Sequence, residues 1–364
     1  MEKVKIIFAG AVVGLLGVLL VLLGNPANMG ICLACFLRDI SGGLGFHRAA
    51  VVQYLRPEIS GFILGSFISA FAAKEFKPRG GSSPAVRFFI AVFVMIGALV
   101  FLGCPLRMLF RMSAGDLNAW IALPGFIFGI YAGIFFLRRG YSLGKSSTQP
   151  KANGFLLPLL AVILLVFLLI KPTFIFFSQE GPGSMTAPAI LALAAGLIVG
   201  IAAQRTRLCT AGGFRDIILL KDFHLASGIF SLFAAAFIAN LIFGKFNLSF
   251  MGQPIAHADG LWNFLGMTLA GFGSILLGGC PLRQTILAGE GDSDAAITVL
   301  GLIVGAAVAH NFGLASSAAG VTMGGKAAVV IGFAFVLATA ILNTSEINSK
   351  LNSKLIKGGK NLNA

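Results

Sequence analysis

The sequence predicts an all-α protein that crosses a lipid bilayer about ten times and consists of two inverted internal repeats with re-entrant half-helices. Three observations lead to this prediction: the composition, the length of the apolar segments and the similarity of the chain to itself. Of the 364 residues, 57% are hydrophobic and only 11% are charged, whereas a soluble protein carries about 25% charged residues. A soluble fold of this length could not bury so much apolar surface, so we expect lipid to be the solvent.

Ten apolar segments approach the length of about 20 residues that a helix needs to cross hydrocarbon. They are residues 6–23, 59–73, 86–102, 118–137, 155–177, 187–203, 225–243, 261–278, 295–313 and 327–343. Four further apolar segments, interrupted by Gly and Pro, lie between them at residues 28–45, 103–113, 205–221 and 279–289. Irregular backbone is tolerated at membrane depth only where it is buried in protein or lines a cavity. We therefore expect these four segments to form half-helices that do not cross the bilayer.

The basic residues indicate an orientation rather than a nucleic-acid partner. The net charge is +14, but the Lys and Arg residues lie between apolar spans and not on one wet face. A cytoplasmic N-terminus places most of the 27 Lys and Arg residues inside, as the positive-inside rule requires. We expect a multi-pass protein of the bacterial inner membrane with both termini and residues 138–151 in the cytoplasm, and residues 179–187 outside.

The chain is similar to itself at an offset of about 176 residues. Cys-Leu-Ala-Cys-Phe-Leu-Arg-Asp-Ile at 32–40 aligns with Cys-Thr-Ala-Gly-Gly-Phe-Arg-Asp-Ile at 209–217, Gly-Cys-Pro-Leu-Arg at 103–107 recurs at 279–283, Gly-Asp at 115–116 recurs at 291–292, and Gly125 and Gly129 match Gly301 and Gly305. Several matches in one register indicate a duplication. Each repeat contains four spans and residues 155–177 add one more between them, so the second repeat begins on the other side of the membrane. Inverted repeats with interrupted helices are typical of transporters.

This duplication divides the chain into five predicted parts. They are a first repeat of four spans and two half-helices at 1–137, a cytoplasmic loop and connecting span at 138–182, an inverted second repeat at 183–313, a final span at 314–347 and a disordered cytoplasmic tail at 348–364.

The duplicated Gly-Cys-Pro-Leu-Arg segment predicts a helix start that can bind an anion. Gly permits a close approach, Cys takes the cap, and Pro suits the first helical position. Cys104 and Cys280 would then lie at helix N-termini, where backbone N–H groups favour negative charge. Arg107 and Arg283 follow three residues later, on the same side of each helix. The alternative interpretation is that these cysteines are small packing residues and the arginines are structural cations.

The other pair of half-helices carries a second set of polar residues. Cys32 and Cys209 each precede an Arg-Asp pair, at 38–39 and 215–216, and intramembrane charges should bond to each other, to carbonyls or to substrate. Cys32 and Cys35 form a C-x-x-C that could cycle between dithiol and disulfide, although no thioredoxin-like context surrounds it.

Several other polar residues are expected to carry no chemistry. We expect exposed loop positions for His47, His224 and His257, a satisfied polar role for His310, and a solvated loop for Glu290, Asp292 and Asp294. The five cysteines are too dispersed for a zinc site, so no metal or cofactor is predicted.

With its paired cysteine-containing half-helices and inverted four-span repeats, the chain resembles the YeeE/YedE family of sulfur-transport membrane proteins. The duplicated Gly-Cys-Pro-Leu-Arg segment and the C-x-x-C are most similar to the YedE subgroup, which is proposed to serve selenium metabolism. The resemblance implies that cysteines along a central pathway pass a thiosulfate-like anion inward through S–H hydrogen bonds. Cys32, Cys104 and Cys280 carry over as pathway residues, with Cys35 and Cys209 as additional thiols and Arg38, Arg107, Arg215 and Arg283 as supporting cations.

The leading hypothesis is therefore uptake of a small sulfur or selenium anion, with the lipid bilayer and the anion as partners and no catalytic residues. Weak S–H donors suit a soft anion because they hold it loosely enough to release it. A membrane thiol-disulfide oxidoreductase using Cys32 and Cys35, and a passive channel for a small solute, are the alternatives. No Walker motif is present, and three alternatives stay open: coupling to an ion gradient, coupling to a cytoplasmic sulfur or selenium acceptor protein, and no coupling.

Overall fold

The computed structural model describes residues 2–345, so the predicted tail at 348–364 lies outside the described residues. Its helices are α1 (Glu2–Leu22), α2 (Leu33–Gly43), α3 (Pro57–Ala72), α4 (Pro84–Phe101), α5 (Pro105–Ser113), α6 (Leu117–Arg138), α7 (Lys151–Ile170), α8 (Ala189–Thr206), α9 (Thr210–Leu220), α10 (His224–Ile242), α11 (Gly260–Leu276), α12 (Pro281–Gly289), α13 (Ser293–Asn311) and α14 (Met323–Leu342). A 3-10 turn (Ala50–Val52) and a two-stranded ribbon, β1 (Arg79–Gly80) with β2 (Ser147–Thr148), complete the structure.

The all-α membrane fold predicted from the sequence is confirmed. Within residues 2–345, nine helical segments are long and apolar enough to cross a membrane, and three of them join a long helix to the half-helix that follows it. The predicted span 59–73 corresponds to α3, which at 16 residues is shorter than those nine. The four short helices α2, α5, α9 and α12 coincide with the four Gly- and Pro-interrupted segments.

Hydrogen bonds and ion pairs between loops define two faces of the molecule. We call the first the basic face; it joins residues 73–83, 139–150, 204–207, 290–292 and 343–345. We call the second the opposite face; it joins residues 23–31, 44–56, 114–117, 171–188 and 243–257. The long helices run between these faces.

The short helices of the two sequence repeats end on different faces. The last residue of α2, Gly43, accepts a hydrogen bond from Phe176, and Ala114 after α5 accepts one from Asn247, so both helices end on the opposite face. Glu290 after α12 accepts a hydrogen bond from Lys77 on the basic face. Asp222, which follows α9, lines a cavity together with Glu75 of the basic face, so α9 also ends on that face. The N-termini of all four short helices therefore point into the interior.

Each long helix of the first repeat packs along a long helix of the second repeat. Helix α1 packs along α10 and α3 along α8, while α4 packs along α13 and α6 along α11. Glycines allow the close approach: a β-carbon on Gly125 of α6 would lie 2.2 Å from the Phe264 carbonyl oxygen, and one on Gly301 of α13 would lie 2.5 Å from that of Phe88. Gly301 lies 176 positions after Gly125, and Phe88 lies 176 positions before Phe264. The second contact is therefore the counterpart of the first in the other repeat.

The repeated Gly-Asp pairs also have matching roles. Gly115 and Gly291 have φ values of +92° and +96°, a left-handed conformation that glycine adopts without strain. The aspartates that follow them, Asp116 and Asp292, are the N-caps of α6 and α13, where their carboxylates accept backbone N–H hydrogen bonds.

The interpretation of residues 290–294 as a solvated loop was wrong. Asp294 is buried, and its carboxylate accepts hydrogen bonds from the backbone N–H groups of Gly81 and Ser82. Asp292 forms an ion pair with Arg79 at 2.7 Å. These carboxylates fasten the loop before α4 to the start of α13, a long-range contact that the local composition does not reveal.

Candidate functional site

Each Gly-Cys-Pro-Leu-Arg segment is the start of a short helix inside the protein, as predicted. Cys104 is the N-cap of α5 and Cys280 the N-cap of α12, and a proline occupies the first turn of both helices. Both cysteines have extended backbone conformations and are only 1% exposed. The thiols are therefore held at helix N-termini away from water and lipid.

Cysteines also cap the other two short helices. The Cys32 sulfur accepts a hydrogen bond of 3.2 Å from the backbone N–H of Cys35 at the start of α2. The Cys209 sulfur accepts one of the same length from Gly212 at the start of α9. All four helix starts in the interior thus present sulfur where most helices present oxygen.

The five thiols form two clusters, one in each sequence repeat. In the first cluster, the sulfurs of Cys32 and Cys35 are 2.9 Å apart, and Cys104 interacts with Cys32. In the second cluster, the sulfurs of Cys209 and Cys280 are 3.7 Å apart. All five cysteines are free and buried. Among the described residues, Cys104 contacts Cys32 and Cys280 contacts Cys209, so each contacts a thiol of its own repeat.

Backbone N–H groups from two helices surround each Gly-Cys-Pro-Leu-Arg cysteine. Neither cysteine makes a capping hydrogen bond of ordinary geometry. The N–H groups of Ala34 and Arg107 nevertheless interact with the Cys104 sulfur, and those of Thr210, Ala211 and Arg283 interact with the Cys280 sulfur. Because the positive ends of two helix dipoles meet at each thiol, both positions favour a bound anion.

Arg107 is fully buried beside the first cluster and bonds only to neutral groups. Its guanidinium donates to the Cys35 sulfur at 3.3 Å and to the backbone carbonyls of Asn28, Leu102 and Ile255. No carboxylate in the part of the chain that the structure describes pairs with it. A buried charge without a counter-charge is costly, so this cluster is electrostatically prepared for an anion.

The other three predicted cations pair with carboxylates. Arg283, the counterpart of Arg107, forms an ion pair with Glu290 at 3.2 Å. Arg38 bonds to Asp39 at 2.7 Å and Arg215 bonds to Asp216 at 2.8 Å, as a structural ion pair would. Of the four arginines predicted to support an anion, Arg107 is therefore the one whose charge is not balanced by the described residues.

A buried charge network on the opposite face was missed by the sequence reasoning. The Arg56 guanidinium bonds to Asp39 at 2.7 Å and to carbonyls of the loop after α7. Asn25 donates to the Glu58 carboxylate at 2.8 Å, and both are almost completely buried. Arg56 and Glu58 flank Pro57 at a predicted span boundary, and such a position is normally exposed, so local sequence gave no signal of their burial.

The prediction that the loop histidines are exposed was wrong for two of them. His47 and His257 are 1% and 3% exposed. Each has one ring nitrogen against a backbone carbonyl, of Arg38 or Val100, and the other accepting a backbone N–H. His310 stacks on His47 with ring centroids 4.6 Å apart, but its Nε2 has no hydrogen-bond partner within residues 2–345, so the expectation of a satisfied polar residue was wrong for this atom. These histidines brace loops and helix ends, a role that depends on long-range packing.

Two cavities open from the two faces toward the thiol clusters. The cavity on the basic face, which we call the vestibule, has a volume of about 660 Å³. Its lining includes Cys209, Arg215 and Arg283. The cavity on the opposite face has a volume of about 250 Å³ and reaches Asn28, whose carbonyl accepts the Arg107 hydrogen bond. The second cluster is thus reached from the basic face, while Arg107 and Asn28 lie between the first cluster and the opposite face.

A multi-pass membrane protein whose interrupted helices meet at a buried polar site has the architecture of a membrane transport protein. Residues 205–347 match the profile of the family described as Sulphur transport. This match covers α9 to α14 and therefore includes Cys209, Cys280 and Arg283.

Two curated proteins named thiosulfate transporter TsuA are also similar to this chain. The protein from Spirochaeta thermophila is 34% identical over 100 residues, which is 27% of this chain and 29% of that protein. The protein from Escherichia coli is 31% identical over 103 residues, 27% of this chain and 28% of that protein. The aligned segments span less than a third of either relative. These similarities, which cover the second part of the chain, support the resemblance to the YeeE/YedE sulfur-transport family that the sequence motifs predicted.

Proposed function

We propose that the protein takes up a small sulfur anion of the thiosulfate type, or its selenium counterpart, along a central path of thiols. The observation that carries this proposal is the meeting of helix N-termini at the buried cysteines, with N–H groups from two helices around Cys104 and around Cys280. Such a site offers several weak donors and a positive potential, which attract a soft anion without trapping it. The family and the names of both relatives favour the same class of cargo.

The proposed path begins at the cavity of the opposite face. The anion would displace the carbonyl groups that Arg107 now holds, contact Cys35, Cys32 and Cys104, and pass to Cys280 and Cys209. It would leave through the vestibule, where Arg215 and Arg283 line the wall. The positions of the thiols and cavities support this path, and each proposed step uses hydrogen bonds alone.

The proposal includes inverted repeats, 1–137 and 183–313, related by a pseudo-twofold axis in the membrane plane. Helix α4 packs along α13, and their counterparts in the other repeat, α11 and α6, pack along each other. A twofold axis requires this, because the counterparts of two contacting residues must also be in contact. The helix pairs therefore support such an axis. The short helices ending on different faces support the inversion. Two similar half-sites facing opposite sides suit a path that must be reached from both.

The charge of the basic face supports an orientation in the membrane. We propose that this face lies in the cytoplasm of a bacterial inner membrane, because it carries Lys74, Lys77, Arg139, Lys145 and Arg205, and positive loops are retained inside. The vestibule would then be the exit, where a cytoplasmic sulfur or selenium acceptor protein would collect the anion.

Uptake of labelled thiosulfate into proteoliposomes tests the function. Cys104→Ala and Cys280→Ala should each lower uptake by about 10- to 100-fold, because each removes a hydrogen-bond donor at a desolvated anion site. The control Ser60→Ala also removes a buried heteroatom, in α3 and outside the thiol clusters, and should transport normally. Competition by unlabelled selenite or sulfate compares the possible cargoes. Normal uptake by both cysteine variants would remove these thiols from the mechanism.

The 2.9 Å approach of the Cys32 and Cys35 sulfurs is the one observation that favours a thiol-disulfide oxidoreductase instead. Such an enzyme would form a mixed disulfide with a partner protein once Cys35 is replaced by Ser. Trapping that adduct would support the oxidoreductase, whereas thiosulfate uptake without it supports transport.

A further inference from the structure

The arginines of the two Gly-Cys-Pro-Leu-Arg segments have different partners although they occupy matching positions. Arg107 donates only to carbonyls and to the Cys35 sulfur. Arg283 donates to the Glu290 carboxylate at 3.2 Å. At the repeat offset, the residue that matches Glu290 is Ala114. The duplicated sequence thus gives only the second arginine a carboxylate.

The carboxylate lies at the inner end of the proposed path. Glu290 directly follows α12, and its backbone oxygen accepts a hydrogen bond from Lys77. The side chains of Arg283 and Glu290 are 15% and 16% exposed, and Arg283 lines the vestibule together with Cys209. The backbone contact holds Glu290 in place independently of its side chain, so the carboxylate can be removed without releasing the loop.

We propose that Glu290 is a release residue, which competes with the transported anion for Arg283 and thereby weakens the site at the vestibule. This inference rests on the proposed anion transport. At the second cluster, the anion meets the Arg283 guanidinium, whose charge Glu290 already balances. At the first cluster, the anion meets the Arg107 guanidinium, whose charge no described carboxylate balances. Conduction through several sites requires that the last site be weak enough to leave. The carboxylate therefore makes the second cluster the low-affinity end of the path.

Glu290→Gln tests this role because it removes the charge and keeps the shape. A partly exposed ion pair contributes about 1 kcal/mol, so the variant should bind thiosulfate about fivefold more tightly. Release should become slower, so the KM for thiosulfate uptake and the saturated rate should both fall. A merely structural defect would instead lower the rate while weakening binding or leaving it unchanged. Glu290→Ala, which installs the residue of the first repeat, should shift both quantities in the same direction.

Glu75→Gln is the matched control. Glu75 pairs with Arg205 at 3.4 Å in the same vestibule, but both side chains are 50% exposed, so this variant should leave binding and transport unchanged. Binding is measured with labelled thiosulfate on protein in nanodiscs, and rates are measured in proteoliposomes. The inference is overturned if either Glu290 variant binds thiosulfate no more tightly than wild type, or if Glu75→Gln tightens binding equally. Failure of the wild-type protein to bind thiosulfate, selenite or sulfate would instead overturn the proposed function, and the inference with it.

Discussion

Sulfur is an unusual atom with which to begin a helix. Ser, Thr, Asp and Asn are preferred N-caps because their oxygens accept backbone hydrogen bonds well, whereas a thiol is a weak donor and a weak acceptor. Yet cysteine stands at the start of all four interior short helices, as Cys32, Cys104, Cys209 and Cys280. Helix capping alone would favour serine at these positions, which agrees with the proposed role of the thiols in transport.

Replacing a cap sulfur by oxygen should therefore separate stability from transport. Cys104→Ser and Cys280→Ser should melt close to the wild-type temperature, because serine is the better cap while its hydroxyl costs more to bury than a thiol. Their thiosulfate uptake should fall below wild type, because the harder oxygen is a poorer match for a soft anion. Thermal unfolding in detergent and uptake in proteoliposomes measure the two effects. Uptake equal to wild type in both serine variants would show that any small hydrogen-bonding group suffices.

At the residue scale, the sequence predicted local roles and missed distant partners. The order Gly-Cys-Pro identified Cys104 and Cys280 as caps because a cap depends on neighbours in the chain. The Cys35 sulfur that Arg107 contacts lies 72 positions earlier in the chain, and the burial of His257 depends on a carbonyl 157 positions away. Such contacts are decided by tertiary packing, which composition and spacing do not encode.

Among the elements, the helix crossings depend on glycines that bring two backbones into contact. A β-carbon at Gly129 of α6 would lie 2.1 Å from the Thr268 carbonyl oxygen, and one at Gly305 of α13 would lie 2.8 Å from that of Val92. These distances are too short for any side chain, and the opposing atoms belong to backbone. The helices would have to separate to admit even a methyl group.

Alanine at these crossings should therefore destabilise the protein in a graded order. Gly129→Ala should cost about 2 kcal/mol, within the range for overpacking, and Gly305→Ala should cost less because its contact is longer. Gly260→Ala is the control, since its nearest neighbour is a side-chain methyl group at 3.3 Å. Thermal unfolding of the purified variants gives the order. A melting temperature for Gly129→Ala equal to that of Gly260→Ala would contradict the assigned crossing.

The elements were more predictable than their arrangement. Runs of apolar residues and Gly-Pro interruptions located most helix ends to within about five residues, because both signals are local. The predicted span 155–177 was wrong at its end, since α7 ends at Ile170, two residues before Pro172. The short ribbon of β1 with β2 was not predicted, since two residues per strand leave no alternation to detect. The pairing of α1 with α10 and of α3 with α8 could be expected only after the duplication had been recognised.

For the whole molecule, the two faces allow a direct test of orientation. Single cysteines in a cysteine-free background at Ser146 and at Gln179, exposed residues beyond α6 and α7, report the two sides. A membrane-impermeant thiol reagent added to intact cells should label position 179, and label position 146 only after the membrane is opened. The reverse pattern would invert the assigned faces and with them the direction of the proposed path.

The packing of first-repeat helices against second-repeat helices also has a consequence for folding during translation. Helices α1, α3, α4 and α6 are synthesised first, yet each has its main neighbour among α8 to α13. During translation the amino-terminal half must therefore wait in the bilayer, its glycine-lined surfaces covered only by lipid, until the carboxy-terminal half has been inserted. Assembly is then completed by contacts between the two halves. We therefore expect that a gene divided in the loop before α7 would yield two products that associate in the membrane, because the main contacts of the first four long helices are with helices of the second half.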